Sequence, residues 1–256
     1  MNDTKRVRRP AGSGYARGDE TRLRIIEAAI ERFGESGFGG ASTRDIAAHA
    51  GVNAPALQYY FESKEGLYRA CAEHIADSAR AAFEPALEQA RAVLADGSDT
   101  EALIDAFIRI QDCIADRMFR ASCGPDQRLF FAREQAGHEP PIATDILQER
   151  LRKPLNDICM ALVARIAGTS VDDPRTMVRV FSLHGQLLIF HTAKRGALSL
   201  LGWQEIDSAR AELVKETVRE QSRTLLRLWH AGASAGMRGK ATGRAARAPR
   251  KTASKR

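Results

Sequence analysis

Aromatic residues are scarce in this chain. Phe, Trp and Tyr make up 6% of its 256 positions, although hydrophobic residues as a whole reach 44%. A β-rich protein of this length wants more Val, Thr and Tyr, whereas a balance heavy in Ala, Leu, Arg and Glu favours helices. No run of about 18 uncharged apolar residues exists, so no membrane span is expected. The nearest approach, VFSLHGQLLIFHTA, is too short and carries two histidines. The four cysteines, Cys71, Cys113, Cys123 and Cys159, include no CxxC pair. That spacing speaks against a structural disulfide and leaves packing or surface thiols, with a redox-sensing thiol as the alternative. There is no Walker loop, GxSxG, HExxH or glycine-rich dinucleotide turn, and GSGYARGD lacks the strand a phosphate loop needs. The expectation is a protein that is no enzyme and needs no cofactor. MNDTKRVRRP is basic but no apolar run follows it, so it does not read as a secretory signal, and a cytoplasmic location is expected.

What is present is uneven charge. The formal net charge is +7. Residues 1–18 hold Lys5, Arg6, Arg8, Arg9 and Arg17 against Asp3, a net +4, and residues 232–256 hold eight basic residues and no acid, a net +8. The remainder is therefore mildly acidic, at −5. Two basic tails flank it. They either keep the chain soluble or add sequence-independent attraction to a polyanion.

Between the tails the pattern is helical throughout. Leu23, Ile26, Ile30 and Phe33 fall on one helical face, and Gly37 can supply the left-handed residue that ends a helix. Ser42 with Asp45 three positions on is a helix-start signal, Ile46, Ala47 and Ala50 face inward, and Gly51 closes a short second helix. Asn53 is a good N-cap and Pro55 is tolerated in a first turn, so NAPALQYYF opens a third helix. A long helix follows, with a kink expected at Pro85. Further helices are expected at about 100–119, 126–136, 141–167, 173–195 and 206–230, separated by breaks that include RGALSLLGW. The fold class is all-α: an N-terminal helix-turn-helix three-helix head and a larger helical body. The organisation reads as 1–18 a disordered basic arm, 19–64 the three-helix head, 65–231 the larger helical body, and 232–256 a disordered basic tail; the resemblance given below makes 19–64 a helix-turn-helix DNA-binding domain and 65–231 a ligand-binding and dimerisation domain.

Two short helices about a glycine turn form a helix-turn-helix when polar groups open the second. Here Ala47 is small at the crossing, Gly51 permits positive φ, and Val52 and Leu57 lock the pair to the first helix. Asn53, Ala54, Pro55, Ala56, Gln58 and Tyr60 are left facing outward. The stretch TRDIAAHAGVNAPALQYYFESKEGLY (Thr43 to Tyr68) resembles the signature of TetR-family transcriptional regulators. FAREQ (131–135), PLNDICMALVARIAG (154–168) and LLGWQEIDSARAELVKETV (200–218) resemble the CecR-like (YbiH-type) subgroup. The resemblance implies a homodimer with one head per half-site of a double-stranded DNA operator. It places Thr43 on a phosphate, Arg44 on a base or phosphate, and Asn53, Ala54, Pro55, Ala56 and Gln58 on the recognition surface. It makes Tyr59 and Tyr60 an aromatic pair that packs the head and touches the DNA backbone, with core packing the plain reading of Tyr59. Lys64 becomes a phosphate ligand. Many members of the family carry Tyr where this chain has Gln58.

The body is far larger than a DNA-reading head requires. In the family it dimerises and holds a small molecule, so an unidentified effector is expected. Phe107, Phe130, Phe131, Arg133, Glu134 and His184 mix rings with a few polar groups and are the expected pocket residues. For Arg133 and Glu134 an interhelical salt bridge or loop anchor is the alternative. Phe181 and Leu188 on one helix, with Leu225 and Trp229 on another, are the expected dimer interface, against burial within one subunit. His184 and His191 are too far apart to share an ion, so no metal is expected. The functional expectation is a repressor released from a palindromic operator by its effector. The alternative is an architectural DNA binder with little sequence preference.

Overall fold

The computed structural model describes residues 13–119, 125–137 and 139–245. Among them there are helices and no strands. They are α1 (Ser13–Gly40), α2 (Thr43–His49), α3 (Ala54–Phe61), α4 (Lys64–Ala95), α5 (Thr100–Phe119), α6 (Pro125–Gln135), α7 (Pro141–Leu147), a π-helical turn (Gln148–Arg152), α8 (Lys153–Ala167), α9 (Pro174–Thr192), α10 (Lys194–Leu201) and α11 (Ser208–Ala245). No described helix is long and apolar enough to cross a membrane.

Several boundaries differ from those expected. The helix expected from Asp19 already starts at Ser13, and within it the Thr21 hydroxyl donates to the Arg17 carbonyl at 2.8 Å. Leu23 is exposed rather than part of the inner face. The expected helix over 141–167 is two helices joined by a π turn. Pro154 has no N–H to donate, and the wider π register just before it accommodates the missing bond. The break RGALSLLGW contains α10, whose Ala and Leu favour a helix until Gly202, at φ 66°, ends it. α4 runs through Pro85 to Ala95. α11 continues past residue 231 to Ala245. The rest of both expected disordered tails, 1–12 and 246–256, lies outside the described residues, as does Cys123.

The described residues form two compact units, Met1–Arg80 with Ala121–Arg152, and Ala81–Arg120 with Lys153–Arg256. The first holds the three-helix head, the first half of α4, α6, α7 and the π turn, and so extends beyond 19–64. Its centre is aromatic. Tyr68 lies edge-on to Phe33 at 5.0 Å and to Phe38 at 5.1 Å, and its ring is 5.0 Å from that of Phe130. Gly34 lets α6 approach α1 closely, because a Cβ there would sit 2.8 Å from the Asp126 carbonyl oxygen. The second unit packs α5, α8, α9 and α11. Along one side, α11 offers Lys215, Arg219, Arg223 and Arg227 at four-residue intervals to Asp116, Asp112, Asp105 and Glu101 of α5. Cys71 and Cys159 are buried, one in each unit. Burial pushes the Cys71 thiol up, and the Cys159 thiol up to about 12, so both stay protonated packing residues.

Candidate nucleic-acid interface

The head is built by short-range signals that the structure uses as caps. Ser42 Oγ accepts from the Asp45 amide at 3.1 Å and donates to the Asp45 carboxylate at 2.6 Å, which fixes the start of α2. At the other end the Gly51 amide reaches the Ala48 carbonyl and the Val52 amide reaches the Ala47 carbonyl. Gly51, at φ 65°, turns the chain between these bonds into α3. Asn53 Oδ1 then accepts from the Ala56 amide at 2.9 Å. Asn53 is therefore exposed but occupied as the α3 cap. Ile46, Ala47, Leu57 and Phe61 are buried and hold the two helices against α1.

This leaves an exposed row. Arg44 on α2, and Asn53, Ala54, Pro55, Gln58 and Tyr59 around α3, face solvent, while Thr43, Ala56, Tyr60 and Lys64 are half-buried at its borders. The core-packing reading of Tyr59 is corrected: the residue is 82% exposed, its ring standing edge-on to Tyr60 at 5.3 Å. The reason is register. Leu57 and Phe61 take the inner face of α3, and Tyr59 falls between them on the opposite side. Tyr60, expected to face outward, is instead half-buried and packs against the core of the unit. Gln58 donates from Nε2 to the Glu62 carbonyl, so its amide is held at the end of its own helix. Lys64 Nζ lies 4.5 Å from the centroid of the Phe38 ring, which orients the ammonium at the first residue of α4. The row carries donor groups on Thr43, Arg44, Gln58, Tyr60 and Lys64. It has the dimensions of an α-helix, which the major groove admits.

The expected pocket group divides between the two units. Phe130, Phe131, Arg133 and Glu134 belong to the first, and Phe107 and His184 to the second. In the first unit Arg133 donates from Nε to the Gly34 carbonyl at 2.6 Å and from Nη2 to that of Glu35. Glu139 accepts from the Phe38 amide at 2.7 Å. Both close on Gly37, whose φ of 73° and ψ of 172° are open to glycine alone. Glu134 is buried and takes two bonds from the Arg152 guanidinium. Arg133 and Glu134 thus anchor the end of α1 and the π turn. Glu139 went unnoticed in the sequence because its partner is 101 positions away.

In the second unit Phe107 and His184 stack at 5.8 Å, and Gln111 donates to the Leu183 carbonyl at 2.9 Å. Burial lowers the His184 pKa to about 4, so the ring is neutral at pH 7. The folded chain therefore takes up this proton less readily than the unfolded one. His184 withdraws stability as pH falls through 6.5 towards 4. H184F is expected to lose less melting temperature than the parent between pH 7 and 4.5, measured by circular dichroism.

Of the expected dimer residues, Phe181 is 55% and Leu188 42% exposed, while Leu225 and Trp229 are half-buried. The Arg179 guanidinium lies 4.8 Å from the centroid of the Trp229 ring. Met177 extends the exposed α9 face, and α11 exposes Leu213 and Leu228. Among the described residues no group of three or more His, Cys, Asp or Glu is placed to hold a metal ion.

Two family models match the chain. "Bacterial regulatory proteins, tetR family" covers residues 25–71, and "HTH-type transcriptional dual regulator CecR, C-terminal domain" covers 103–227. The HTH-type transcriptional dual regulator CecR of Shigella flexneri is 33% identical over 202 residues, which are 79% of this chain and 89% of that protein. The regulatory protein RaaS of Mycobacterium tuberculosis is 48% identical over 65 residues, 25% of this chain and 30% of that one. Among solved structures, AibR in complex with isovaleryl coenzyme A and operator DNA superposes with a TM-score of 0.54 at 17% identity, over 78% of this chain and 97% of that one. A TetR-family regulator from Mesorhizobium loti superposes with a TM-score of 0.52 at 14% identity, over 84% and 97%. At these identities the superpositions speak for the fold.

Proposed function

The chain belongs to the TetR family of bacterial transcriptional regulators, in its CecR type, and from there we propose that it is a sequence-specific repressor. It acts as a homodimer and leaves a palindromic operator when a small-molecule effector binds its helical body. The observation that carries this reading is the exposed polar row of α3, backed by buried Leu57 and Phe61 and flanked by Thr43 and Lys64. Gln58, once its amide leaves the Glu62 carbonyl, is the side chain suited to read a base, because an amide can pair with adenine N6 and N7. Arg44 is suited to guanine O6 and N7 or to a phosphate. Thr43, Tyr60 and Lys64 position the head on the backbone. The effector acts by binding better to a body conformation in which the two heads no longer match successive major grooves. AibR, of the same fold, was crystallised with both isovaleryl coenzyme A and operator DNA, so the fold can accommodate both kinds of partner.

Selection of duplexes from a randomised library tests the reading. The full chain is expected to enrich one palindrome. Q58A is expected to enrich the same palindrome with relaxed preference at one or two positions per half-site. The loss is about 1–3 kcal/mol of discrimination at each. No enrichment by the full chain overturns the reading in favour of an architectural binder, and unchanged preferences in Q58A remove Gln58 from base reading.

A further inference from the structure

Helix α1 breaks at Gly37, and side chains take both ends of the bond that the break removes. In an unbroken helix the Phe38 amide would donate to the Gly34 carbonyl, four residues back. At Gly37, with φ 73° and ψ 172°, the chain leaves helical geometry. Arg133 Nε donates to the Gly34 carbonyl at 2.6 Å, and Glu139 Oε2 accepts from the Phe38 amide at 2.7 Å. Glu139 is held in its turn. Pro140 and Pro141 follow it and restrict the backbone there. Beyond them α7 buries Ala143, Ile146 and Leu147 in the core of the unit.

The Phe38 ring meets α4. It lies edge-on to Tyr68 at 5.1 Å, and its centroid is 4.5 Å from Lys64 Nζ. Lys64 and Tyr68 are four residues apart on one face of α4, so a single ring serves both. Tyr68 is buried, whereas Lys64 is half-buried at the first residue of the helix. Glu139, Phe38 and Lys64 thus form one chain of contacts, running from the α6–α7 connection to the border of the α3 row.

We propose that Glu139 is a positioning residue for DNA binding: it holds Phe38, and Phe38 holds the Lys64 ammonium ready for a backbone phosphate. This rests on the DNA-binding reading above and gives the α6–α7 connection a part in affinity, exerted through Lys64. Phosphate contacts carry no sequence information, so the effect is the same on every duplex. Ordering a long side chain on binding costs about two- to tenfold in affinity. A dimer whose two lysines are ordered beforehand avoids that cost twice, a gain of about fivefold or more.

Fluorescence anisotropy reads the affinity of the full chain for two duplexes, one carrying the enriched palindrome and one unrelated to it. E139A is expected to bind both at least fivefold more weakly and to enrich the same palindrome. In a K64A background the same substitution is expected to change affinity less than twofold, whereas in a Q58A background it keeps its full effect. A merely structural role would multiply with both. E139Q keeps an amide oxygen for the Phe38 N–H and is expected to bind within twofold of the parent. E139D draws the carboxylate back by one methylene and is expected to behave as E139A, which keeps the comparison open where E139A does not fold. F38L keeps the backbone bond, loses the ring and is expected to match E139A. A full effect of E139A or E139D in the K64A background, or parental affinity in either of them or in F38L, overturns the proposal. The unrelated duplex reads the coupling even where no palindrome is enriched, so the operator reading and this one fail separately.

Discussion

Replacing Arg152 with methionine is expected to destabilise the protein by about 3–5 kcal/mol, and replacing Glu134 with methionine as well to recover most of that loss. The Glu134 side chain is only 2% exposed and receives Arg152 Nη1 on Oε1 and Nη2 on Oε2. Removing the guanidinium strands a carboxylate away from water. Removing both charges leaves apolar side chains of similar length. Tyr68 lies in the same environment: burial, followed by the charges of Glu139 and Glu134, drives its pKa up. In a chain of this size the single variant should melt roughly 6–20 °C lower. A melting temperature within 2 °C of the parent, or a double variant no better than the single one, contradicts a structural pairing. The result also bears on function. A carboxylate engaged this way anchors α6 to the π turn and is not free to hold an effector.

The second large effect concerns the apolar face of α9. F181D with L188D is expected to yield a monomer at micromolar concentration and to lower operator affinity more than 100-fold, with helix content unchanged. Phe181 and Leu188 lie seven positions apart on one helical face and are half exposed in the single chain. Burying such side chains is worth about 1.5–3 kcal/mol each. A two-fold interface uses each of them twice. It also sets introduced carboxylates against their symmetry mates. Sedimentation velocity reads the mass and fluorescence anisotropy the affinity. A variant that remains dimeric with full affinity would place the interface elsewhere.

How much of this was legible in the sequence depended on the range of the interaction. Ser42, Asp45, Gly51, Asn53 and Pro55 act within four residues of themselves, and the structure uses them as caps, a turn and a first-turn proline at the expected places. The plain reading puts Tyr59 in the core and Tyr60 outside, whereas α3 sets Tyr59 opposite Leu57 and Phe61 and, one residue and about 100° on, packs Tyr60 against the core. Arg133 and Glu134 carried a visible motif but no visible partners. Their contacts, Gly34, Glu35 and Arg152, come from α1 and the π turn. The contact of Glu139 with Phe38 left no local trace at all. The resemblance points Lys64 at a phosphate, while its seat over Phe38 depends on the turn at Gly37 and leaves no local trace in the sequence. The split of 141–167 had one clue, Pro154, whose missing donor breaks the helical ladder before it.

The central claim is that two copies of the chain present their α3 helices to successive major grooves on one face of the duplex. Inserting 5 bp at the centre of the enriched palindrome tests it most directly. The insertion turns one half-site to the opposite face while leaving every contacted base in place. The account predicts a loss of at least 100-fold in affinity for the dimer, with recovery when the insertion is lengthened towards a full turn at most partial. Undiminished binding to the 5-bp insert, or binding of one chain to one half-site with the same affinity, would contradict it.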